Sequence, residues 1–342
     1  MTATLQIGAK TAGDGHPTYV IAEACVNHNG DFYTAIALID EAAAAGADAV
    51  KFQLHYPHHE MLPVVPTSEN FAKPLGEILR DTHLTEDQHV ALMRHCEERG
   101  VQYLCTAYCR EAADTLASLG MEMFKIGSGE TMNHPLLRWI ARHNRPMLVA
   151  TGMTDLDEVD ATVAVLRETG VQFGLMHCTS EYPPVYEDIN LGMVGEYQRR
   201  YGVVVGHSDH SPDINTALAS VALGAHIVEK HFTLTRDQPG PDHPVSIEPA
   251  ELRELVRGIR IIEQARGSEK AVFELERPIR AWAHHSVVTL KPIAAGEAFT
   301  LENTWVKRPG IGIPARELER VLGQHAARDL PADALVADGD IA

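Results

Sequence analysis

Polar and charged side chains stand at the end of nearly every short apolar run of this chain. Lysine ammonium groups, hydroxyls and backbone N–H groups next to glycine are donors that hold a phosphate, and imidazole nitrogens are ligands for a divalent metal ion. The phosphate-binding candidates are Lys51, Thr106, Lys125, Ser128 and Ser208, with Gly127 and Gly129 beside them. The metal-ligand candidates are His210 and His231. These residue types predict a site for a phosphorylated substrate next to a metal ion.

Each of these residues taken singly also has an ordinary structural interpretation. A lone Ser128 or Ser208 is typical of a helix cap or turn, and a lone His177 is typical of a hydrogen-bonded core histidine. The histidines His55, His58 and His59 have a metal-like spacing, but they lie in a proline-containing loop, which favours a solvated loop. The convergence of so many polar groups favours a ligand, because burying them without partners costs on the order of several kcal/mol.

Eight short β-rich runs carry these residues, and helix-period segments alternate with them. The runs are 18–26, 48–53, 101–107, 123–129, 146–153, 172–180, 203–209 and 226–234. Strands that are buried on both faces and alternate with helices imply a parallel sheet, and eight such units predict an α/β fold of the (β/α)₈ TIM-barrel type. A doubly wound open sheet is the alternative, although no GxGxxG turn is present. In a barrel the carboxyl ends of the strands meet on one face, where "KIGSGE", "GHSDH" and "EKH" would lie together.

The pattern of alternating strands and helices ends near residue 267, which divides the chain. Residues 1–267 are predicted to form the barrel, residues 268–285 a linker, and residues 286–342 a small, mostly β domain with Gly and Pro turns. Several helix-period segments end in glycine, as expected for a left-handed residue after the last turn.

Composition excludes several classes of function. The chain of 342 residues has a formal net charge of −18, from 29 Lys and Arg against 47 Asp and Glu, which argues against a nucleic-acid partner. The amino terminus has no apolar signal core and no segment has the length of a membrane span, so a cytoplasmic protein without a membrane partner is expected. The five cysteines form no CxxC pair, which favours buried free thiols.

The motifs of this chain resemble those of the sialic acid synthase family, the N-acetylneuraminate, legionaminate and pseudaminate synthases. In chain order they are "AEACVNHNGD", "KFQ", "KIGSGE", "TGM", "HCTSEYP", "GHSDH", "EKHFTLTRDQPGPDHPVS" and "WVKRPGIG". The resemblance runs from about residue 18 to the carboxyl terminus, where the small domain resembles the family's antifreeze-like (SAF) domain.

The resemblance implies an activity, a cofactor and an assembly. The family's enzymes are transferases of carbohydrate biosynthesis that condense phosphoenolpyruvate with an open-chain N-acyl hexosamine, here N-acetylmannosamine or a 2,4-diacetamido hexose. The product is a nine-carbon 2-keto-3-deoxy sugar acid, and phosphate leaves by C–O cleavage. The expected cofactor is a divalent ion, Mn²⁺ first, with Mg²⁺ or Co²⁺ as alternatives. The expected assembly is a domain-swapped homodimer.

The resemblance also assigns roles to individual residues. His210 and His231 are expected to bind the metal. The expected phosphoenolpyruvate contacts are Lys51, Asn70, Thr106, Lys125, Ser128, Ser180 and Ser208. The expected catalytic groups are Glu23, Glu130, Asp242 and Arg308, and the expected sugar contacts are Tyr182, Asp242, Arg308 and His284. Arg308 matches the arginine that the terminal domain places in the barrel of the partner subunit.

A few positions depart from the family pattern. Ala150 replaces a serine that would offer a hydroxyl to the phosphate, and Thr151 or water is expected to substitute for it. His284 and His285 replace the residues that relatives carry near the acyl group of the sugar. His243 is given no role and is expected to face solvent.

Three other functions are weighed against this one. A synthase for other 3-deoxy sugar acids would lack the terminal domain. A Schiff-base aldolase would use Lys51 or Lys125 as its nucleophile. A non-catalytic sugar-phosphate-binding protein is ranked last, because Glu23, His210 and His231 are all present.

Overall fold

The computed structural model describes residues 3–63, 65 and 73–342, which form two units. The first is Met1–Gly267 and the second is Ser268–Ala342. The predicted phosphoenolpyruvate contact Asn70 lies outside the described residues. In the part of the chain that is described, no helix combines the length and the apolar composition needed to cross a bilayer.

The first unit contains a closed barrel of parallel strands, as the sequence predicts. An antiparallel hairpin of β1 (Thr4–Ile7) and β2 (Lys10–Gly13) precedes it. Each barrel strand is hydrogen-bonded to the next in chain order, and the last strand pairs with the first to close the sheet. The strands are β3 (Tyr19–Cys25), β4 (Ala49–Leu54), β5 (Gln102–Ala107), β6 (Phe124–Ile126), β7 (Met147–Ala150), β8 (Phe173–Cys178), β9 (Val204–Asp209) and β10 (Ile227–His231). Each of the eight predicted runs overlaps one of these strands, and seven of them contain the whole strand, so the (β/α)₈ barrel is confirmed.

Helices connect the barrel strands and surround them. They are α1 (Phe32–Ala45), α2 (Pro57–Glu60), α3 (Leu75–Asp81), α4 (Glu86–Arg99), α5 (Arg110–Ser118), α6 (His134–Ala141), α7 (Leu156–Thr169), α8 (Met193–Tyr201), α9 (Asn215–Ala222) and α10 (Pro249–Ala265). Local sequence sets their ends. Helices α4 and α7 begin with capping boxes, Thr85 with Gln88 and Asp155 with Glu158, and α1 ends at Gly46 in a left-handed conformation.

The interior of the barrel is apolar at its amino-terminal end. Leu5 and Ile7 of the hairpin are fully buried and belong to the same apolar cluster as Ile21, Leu104 and Leu148 of the barrel strands. The hairpin therefore fills the end of the barrel at which the strands begin. The polar cavity described below lies at the other end, where the strands finish.

The second unit is small and has its own apolar core. It consists of α11 (Glu276–Ala283), β11 (Ser286–Thr289), β12 (Thr304–Lys307) and α12 (Leu318–Val321), and β11 pairs antiparallel with β12. Val287, Ile293, Phe299 and Val336 are buried in its core. The segment 268–285, predicted as a linker, belongs to this unit and contains α11.

Candidate active site

A cavity of about 590 Å³ opens at the carboxyl ends of the barrel strands. Its size is within the range of small-molecule sites. The structure brings to its wall every candidate of the first unit that it describes: Glu23, Lys51, Thr106, Lys125, Ser128, Glu130, Ser180, Tyr182, Ser208, His210, His231 and Asp242. These residues come from seven strands and the loops that follow them, so the barrel alone explains their convergence.

Four buried charged residues form the floor of this cavity, and we call them the inner charge cluster: Glu23, Lys51, Lys125 and Glu229. The ammonium group of Lys51 lies 2.5 Å from Oε2 of Glu23 and 3.2 Å from Oε2 of Glu229. Lys125 lies 3.2 Å from the other oxygen of Glu229, which also accepts a hydrogen bond of 2.9 Å from Ser208. Both oxygens of Glu23 and Oε2 of Glu229 are buried and, apart from these ion pairs, have no hydrogen-bond partner among the described residues. The cluster is therefore incompletely satisfied.

The pKa values of the inner charge cluster follow from burial and from its mixed signs. Burial lowers the pKa of Lys51 to about 7, with Lys125 adding to this effect and Glu229 opposing it. Burial by itself raises the pKa of Glu229, but Lys125, Lys51 and the Ser208 hydroxyl lower it by more, so this carboxyl has a pKa far below its ordinary value. The cluster thus contains a Glu229 carboxylate that stays ionised and a Lys51 ammonium that loses its proton near neutral pH.

Hydroxyl groups converge on Gly152, above the inner charge cluster. The Gly152 N–H donates a 3.1 Å hydrogen bond to Oγ of Ser128. A Cβ at this glycine would lie 2.1 Å from Oγ of Ser180 and 2.7 Å from Oγ of Ser128, so only glycine lets the two serines approach. Ala150 lines the cavity, but Thr151 does not replace its missing hydroxyl: Oγ of Thr151 is buried against the Met176 carbonyl and the Tyr197 hydroxyl. The expectation for Thr151 is wrong, because its side chain points away from the cavity.

Two histidine rings meet at the wall of the same cavity. The ring centroids of His210 and His231 are 5.2 Å apart, and the ring of Tyr182 stacks on His210 at 4.2 Å. Nδ1 of His210 is 2.8 Å from the Thr179 carbonyl, which can only accept, so Nδ1 carries the proton, and the lone pair of Nε2 faces the Tyr182 hydroxyl at 3.3 Å. Nδ1 of His231 is buried and has no hydrogen-bond partner within the described residues. These nitrogens suit a divalent ion.

The three histidines of the loop after β4 are not arranged in this way. Both ring nitrogens of His55 have partners, Glu60 at 2.8 Å and Gln53 at 2.9 Å. Among the residues described, the one group of three His, Cys, Asp or Glu side chains with converging ligand atoms is instead Cys25, His231 and Asp242. The loop histidines therefore offer no metal site in this structure.

Two carboxyl groups of the cavity are shifted towards their protonated forms. Burial raises the pKa of Asp242, although the Cys25 thiol and His210 partly oppose this. Burial likewise raises the pKa of Glu130, whose Oε2 accepts a hydrogen bond from Asn133. A carboxyl with a raised pKa suits proton transfer near neutral pH.

One expectation for the last strands is wrong. His243 does not face solvent: it is fully buried, with Nδ1 2.8 Å from Oγ1 of Thr233 and Nε2 3.2 Å from the side-chain amide of Asn29. It anchors the loop that carries Asp242. Asp209 and Lys230, which belong to the "GHSDH" and "EKH" motifs, point away from the cavity and pair with each other at 3.3 Å. We call this pair the outer charge cluster.

Arg308 and His284 belong to the second unit. Nε of Arg308 donates a 3.0 Å hydrogen bond to the Ala283 carbonyl, and its guanidinium lies 5.5 Å from the ring centroid of Trp282. His284 ends α11. Their expected roles with the sugar stay predictions.

Sequence reasoning gave no role to two residues that line the cavity, Glu229 and Cys25. Glu229 lies two residues before His231, so strand alternation alone points it inward. Cys25 follows Glu23 by the same spacing, and the interpretation of all five cysteines as buried free thiols, which the structure confirms, hid its position in the cavity.

Cys178 lies next to His210 in the lining of the cavity, with its sulfur 4.0 Å from both ring nitrogens of His210. Burial by itself raises the pKa of the Cys178 thiol, but His210, Ser128 and Lys125 lower it to about 7.

Comparison with known proteins identifies the architecture. Residues 38–271 match the NeuB family, and residues 284–342 match the SAF domain. The N,N'-diacetyllegionaminic acid synthase of Campylobacter jejuni is 37% identical over 94% of this chain and 99% of that protein. The N-acetylneuraminate-9-phosphate synthase of Homo sapiens is 34% identical over 91% of this chain and 89% of its own length.

A solved structure of similar fold gives the same result. The N-acetylneuraminic acid (sialic acid) synthetase from Leptospira borgpetersenii serovar Hardjo-bovis, crystallised in complex with citrate, superposes with a TM-score of 0.73 at 29% identity. The match covers 82% of this chain and 95% of that one.

Proposed function

The chain belongs to the NeuB family and carries a SAF domain, and from this premise we propose that it condenses phosphoenolpyruvate with an open-chain N-acyl hexosamine. The products would be a nine-carbon 2-keto-3-deoxy sugar acid and phosphate. The observation that supports this most directly is the inner charge cluster: two buried lysines and incompletely paired carboxylates line the same cavity as two neighbouring histidines. The family's enzymes named among the relatives are synthases of such acids.

The two histidines fit a divalent metal ion. His210 presents Nε2 because Nδ1 is bound to a carbonyl, and His231 keeps a buried nitrogen without a partner. When bound, a divalent ion supplies Lewis acidity that polarises the aldehyde oxygen of the sugar. Mn²⁺ is the first candidate, with Mg²⁺ and Co²⁺ next.

The phosphate end of phosphoenolpyruvate belongs, in this proposal, with Lys51 and Lys125. Their ammonium groups are held within 3.2 Å of Glu229, which fixes their positions before the substrate arrives. The hydroxyls of Thr106, Ser128 and Ser180 and the N–H groups near them add donors around the same volume. A substrate anion would complete the charge balance that the buried pairs leave open.

The bond changes define what the remaining residues must do. C3 of phosphoenolpyruvate attacks C1 of the aldehyde, which forms the carbon–carbon bond and leaves an alkoxide at the aldehyde oxygen. This alkoxide takes up one proton, which balances the proton released by the water that adds at C2, and the proton of the C2 hydroxyl leaves with phosphate. The electron deficiency left at C2 is filled by a water oxygen, which then loses a proton. The resulting tetrahedral carbon expels phosphate by cleavage of its C–O bond, and the C2 hydroxyl becomes the ketone.

Glu23 is the group proposed to accept a proton during the reaction and to stabilise the positive charge that forms at C2. Both of its oxygens are buried, and among the described residues Oε2 has only the ion pair with Lys51 while Oε1 has no partner, so Oε1 is available to accept a proton from water or a sugar hydroxyl. A fixed carboxylate also favours the cationic carbon that forms at C2. Tyr182 and Asp242, on the histidine side of the cavity, are placed to meet sugar hydroxyls.

The assembly and the sugar-binding role of the second unit are part of the same proposal. The resemblance of "VKRPG" supports a domain-swapped homodimer in which Arg308 and His284 act at the barrel of the partner subunit. Removal of residues after 285, or Arg308→Ala, is then expected to weaken sugar use without unfolding the barrel.

The test follows phosphate release from phosphoenolpyruvate in the presence of Mn²⁺ and a panel of amino and diamino hexoses. Release should require both sugar and metal, and His231→Ala should reduce it by orders of magnitude. His95→Ala is the matched control, because His95 pairs with Asp40 on the helical surface. Release that a chelator leaves unchanged, or no release with any sugar, would contradict the proposal.

A second candidate, a Schiff-base aldolase, has one observation in its favour. Burial lowers the pKa of Lys51 to about 7, and a lysine with a lowered pKa is a competent nucleophile. Borohydride trapping with pyruvate separates the two reactions: an adduct on Lys51 indicates the aldolase, and its absence together with metal-dependent phosphate release indicates the synthase.

A further inference from the structure

Cys25 lies in the cavity and has no role in the reaction proposed above. It is the last residue of β3, two positions after Glu23, and only 4% of its surface is exposed. Its sulfur shares the cavity wall with the histidine pair rather than the apolar core between barrel and helices. A buried thiol beside candidate metal ligands needs an explanation of its own.

Ligand atoms of three side chains converge at this point. One atom each from Cys25, His231 and Asp242 lie within 4.8 Å of one another. Nδ1 of His231 is 4.0 Å from Oδ2 of Asp242 and is buried without a hydrogen-bond partner in the described part of the chain. The side chain of His231 is 9% exposed, so Nδ1 has no hydrogen bond from solvent and none from the described residues.

The backbone at Cys25 is unusual in a way that suits a ligand. Its φ is +46°, in the left-handed region that non-glycine residues rarely adopt. The pairing of β3 with β4 also shifts there, because Glu23 is opposite Lys51 while Cys25 is opposite Phe52. Such irregularities re-aim side chains, and they persist where the surrounding structure holds them in place.

We propose that Cys25 is a thiolate ligand of the divalent ion, together with His231 and Asp242. This inference rests on the metal site of the proposed function, in which His210 and His231 are ligands, and adds Cys25 and Asp242 to that set, so that Asp242 contacts the metal rather than the sugar hydroxyls. On binding, the thiol releases its proton to solvent and the sulfur donates to the metal. A sulfur, nitrogen and oxygen ligand set shifts preference towards Co²⁺ and Zn²⁺ and away from Mg²⁺.

The test is the absorption spectrum of the cobalt-loaded protein. Chelator-treated full-length chain is titrated with Co²⁺, and the near-ultraviolet band of thiolate-to-cobalt charge transfer is followed. Wild type should show the band. Cys25→Gly, which tolerates the positive φ, and Cys25→Ser, which keeps the side-chain size, should both lose it and bind Co²⁺ at least about tenfold more weakly. Circular dichroism checks that both variants are folded.

Cys178→Ser is the matched control, because Cys178 is another thiol that lines the cavity and its sulfur lies 4.0 Å from the His210 ring nitrogens. It should keep the band. Three results would overturn the inference: no band in wild type, a band that survives in folded Cys25→Gly, or a band that disappears with Cys178→Ser alone. None of these readings depends on catalysis, so failure of the synthase proposal is recognised separately, by phosphate release.

Discussion

The inner and outer charge clusters have neighbouring members on β10, where Glu229 belongs to the inner charge cluster and Lys230 to the outer one. The register of β9 and β10 pairs Ser208 with Glu229, which face the cavity, and then Asp209 with Lys230, which face the helical layer. The outer charge cluster is satisfied: Asp209 accepts hydrogen bonds from the Ser211 N–H at 2.8 Å and from Thr216 at 2.7 Å, and Lys230 donates to Ser211. In the inner charge cluster, within the described residues, Oε1 of Glu23 has no partner, and Oε2 of Glu23 and Oε2 of Glu229 have only their ion pairs with Lys51.

The difference shows how one strand pair separates structure from function. A buried ion pair whose hydrogen bonds are complete is costly to break, because removal of one partner leaves the other charge unpaired in a low-dielectric interior. A cluster that remains incomplete gains partners when a ligand binds. Strand alternation puts Glu229 and Lys230 on opposite faces of β10. The two clusters are assigned different roles because the outer one has a complete set of hydrogen bonds and the inner one does not.

The largest expected effect is on catalysis, from Glu23→Gln in the inner charge cluster. Loss of the carboxylate should reduce phosphate release by about 10²–10⁴-fold, the usual contribution of a positioned acid–base group. The thermal midpoint should change little, because Lys51 keeps Glu229 as its partner and its pKa of about 7 lets it lose its proton at low cost. Steady-state kinetics and calorimetry check both. A large drop in midpoint would mean that the inner charge cluster is structural after all.

The next effect is on stability, from Lys230→Met in the outer charge cluster. Asp209 would remain buried and uncompensated, so the free energy of unfolding should fall by about 3–5 kcal/mol. The folded fraction should keep its kcat, because Lys230 points away from the cavity. The double variant Asp209→Asn with Lys230→Met should recover much of the loss in a denaturation experiment. If kcat falls while stability holds, the assignment of the two clusters is reversed.

The smallest effect is a pH dependence of substrate binding. The pKa of Lys51 is lowered to about 7, so its ammonium is charged below that pH and neutral above it. The KM for phosphoenolpyruvate should therefore rise as pH increases above 7, by up to about tenfold per pH unit if the lysine charge is essential. The control is Lys51→Arg, which stays charged throughout and should remove this inflection. An unchanged wild-type profile across this range would contradict a cationic role for Lys51.

Most of the barrel and much of the site were predictable from local sequence. Each strand is an apolar run, and helix caps such as Thr85 and Asp155 are readable within a few residues. The amino-terminal hairpin was not predicted, because β1 and β2 are only four residues each and owe their stability to the barrel interior that Leu5 and Ile7 enter. His243 was misplaced because its partners, Thr233 and Asn29, are distant from it along the chain or belong to another loop.

The sequence by itself determined the barrel, the terminal domain, the family and the residues at the strand ends, since these depend on periodicity and on motifs that are local in the chain. Only the tertiary structure decided which of these residues share a cavity and which are already paired. Glu229 and Lys230 are neighbours in sequence with similar burial, yet one faces the open cavity and the other a completed pair. Partners brought in by other strands and loops make that distinction, and no local pattern encodes them. The position of Cys25 against His231 and Asp242 has the same origin, because ring closure of β10 onto β3 brings the two ends of the barrel sequence together.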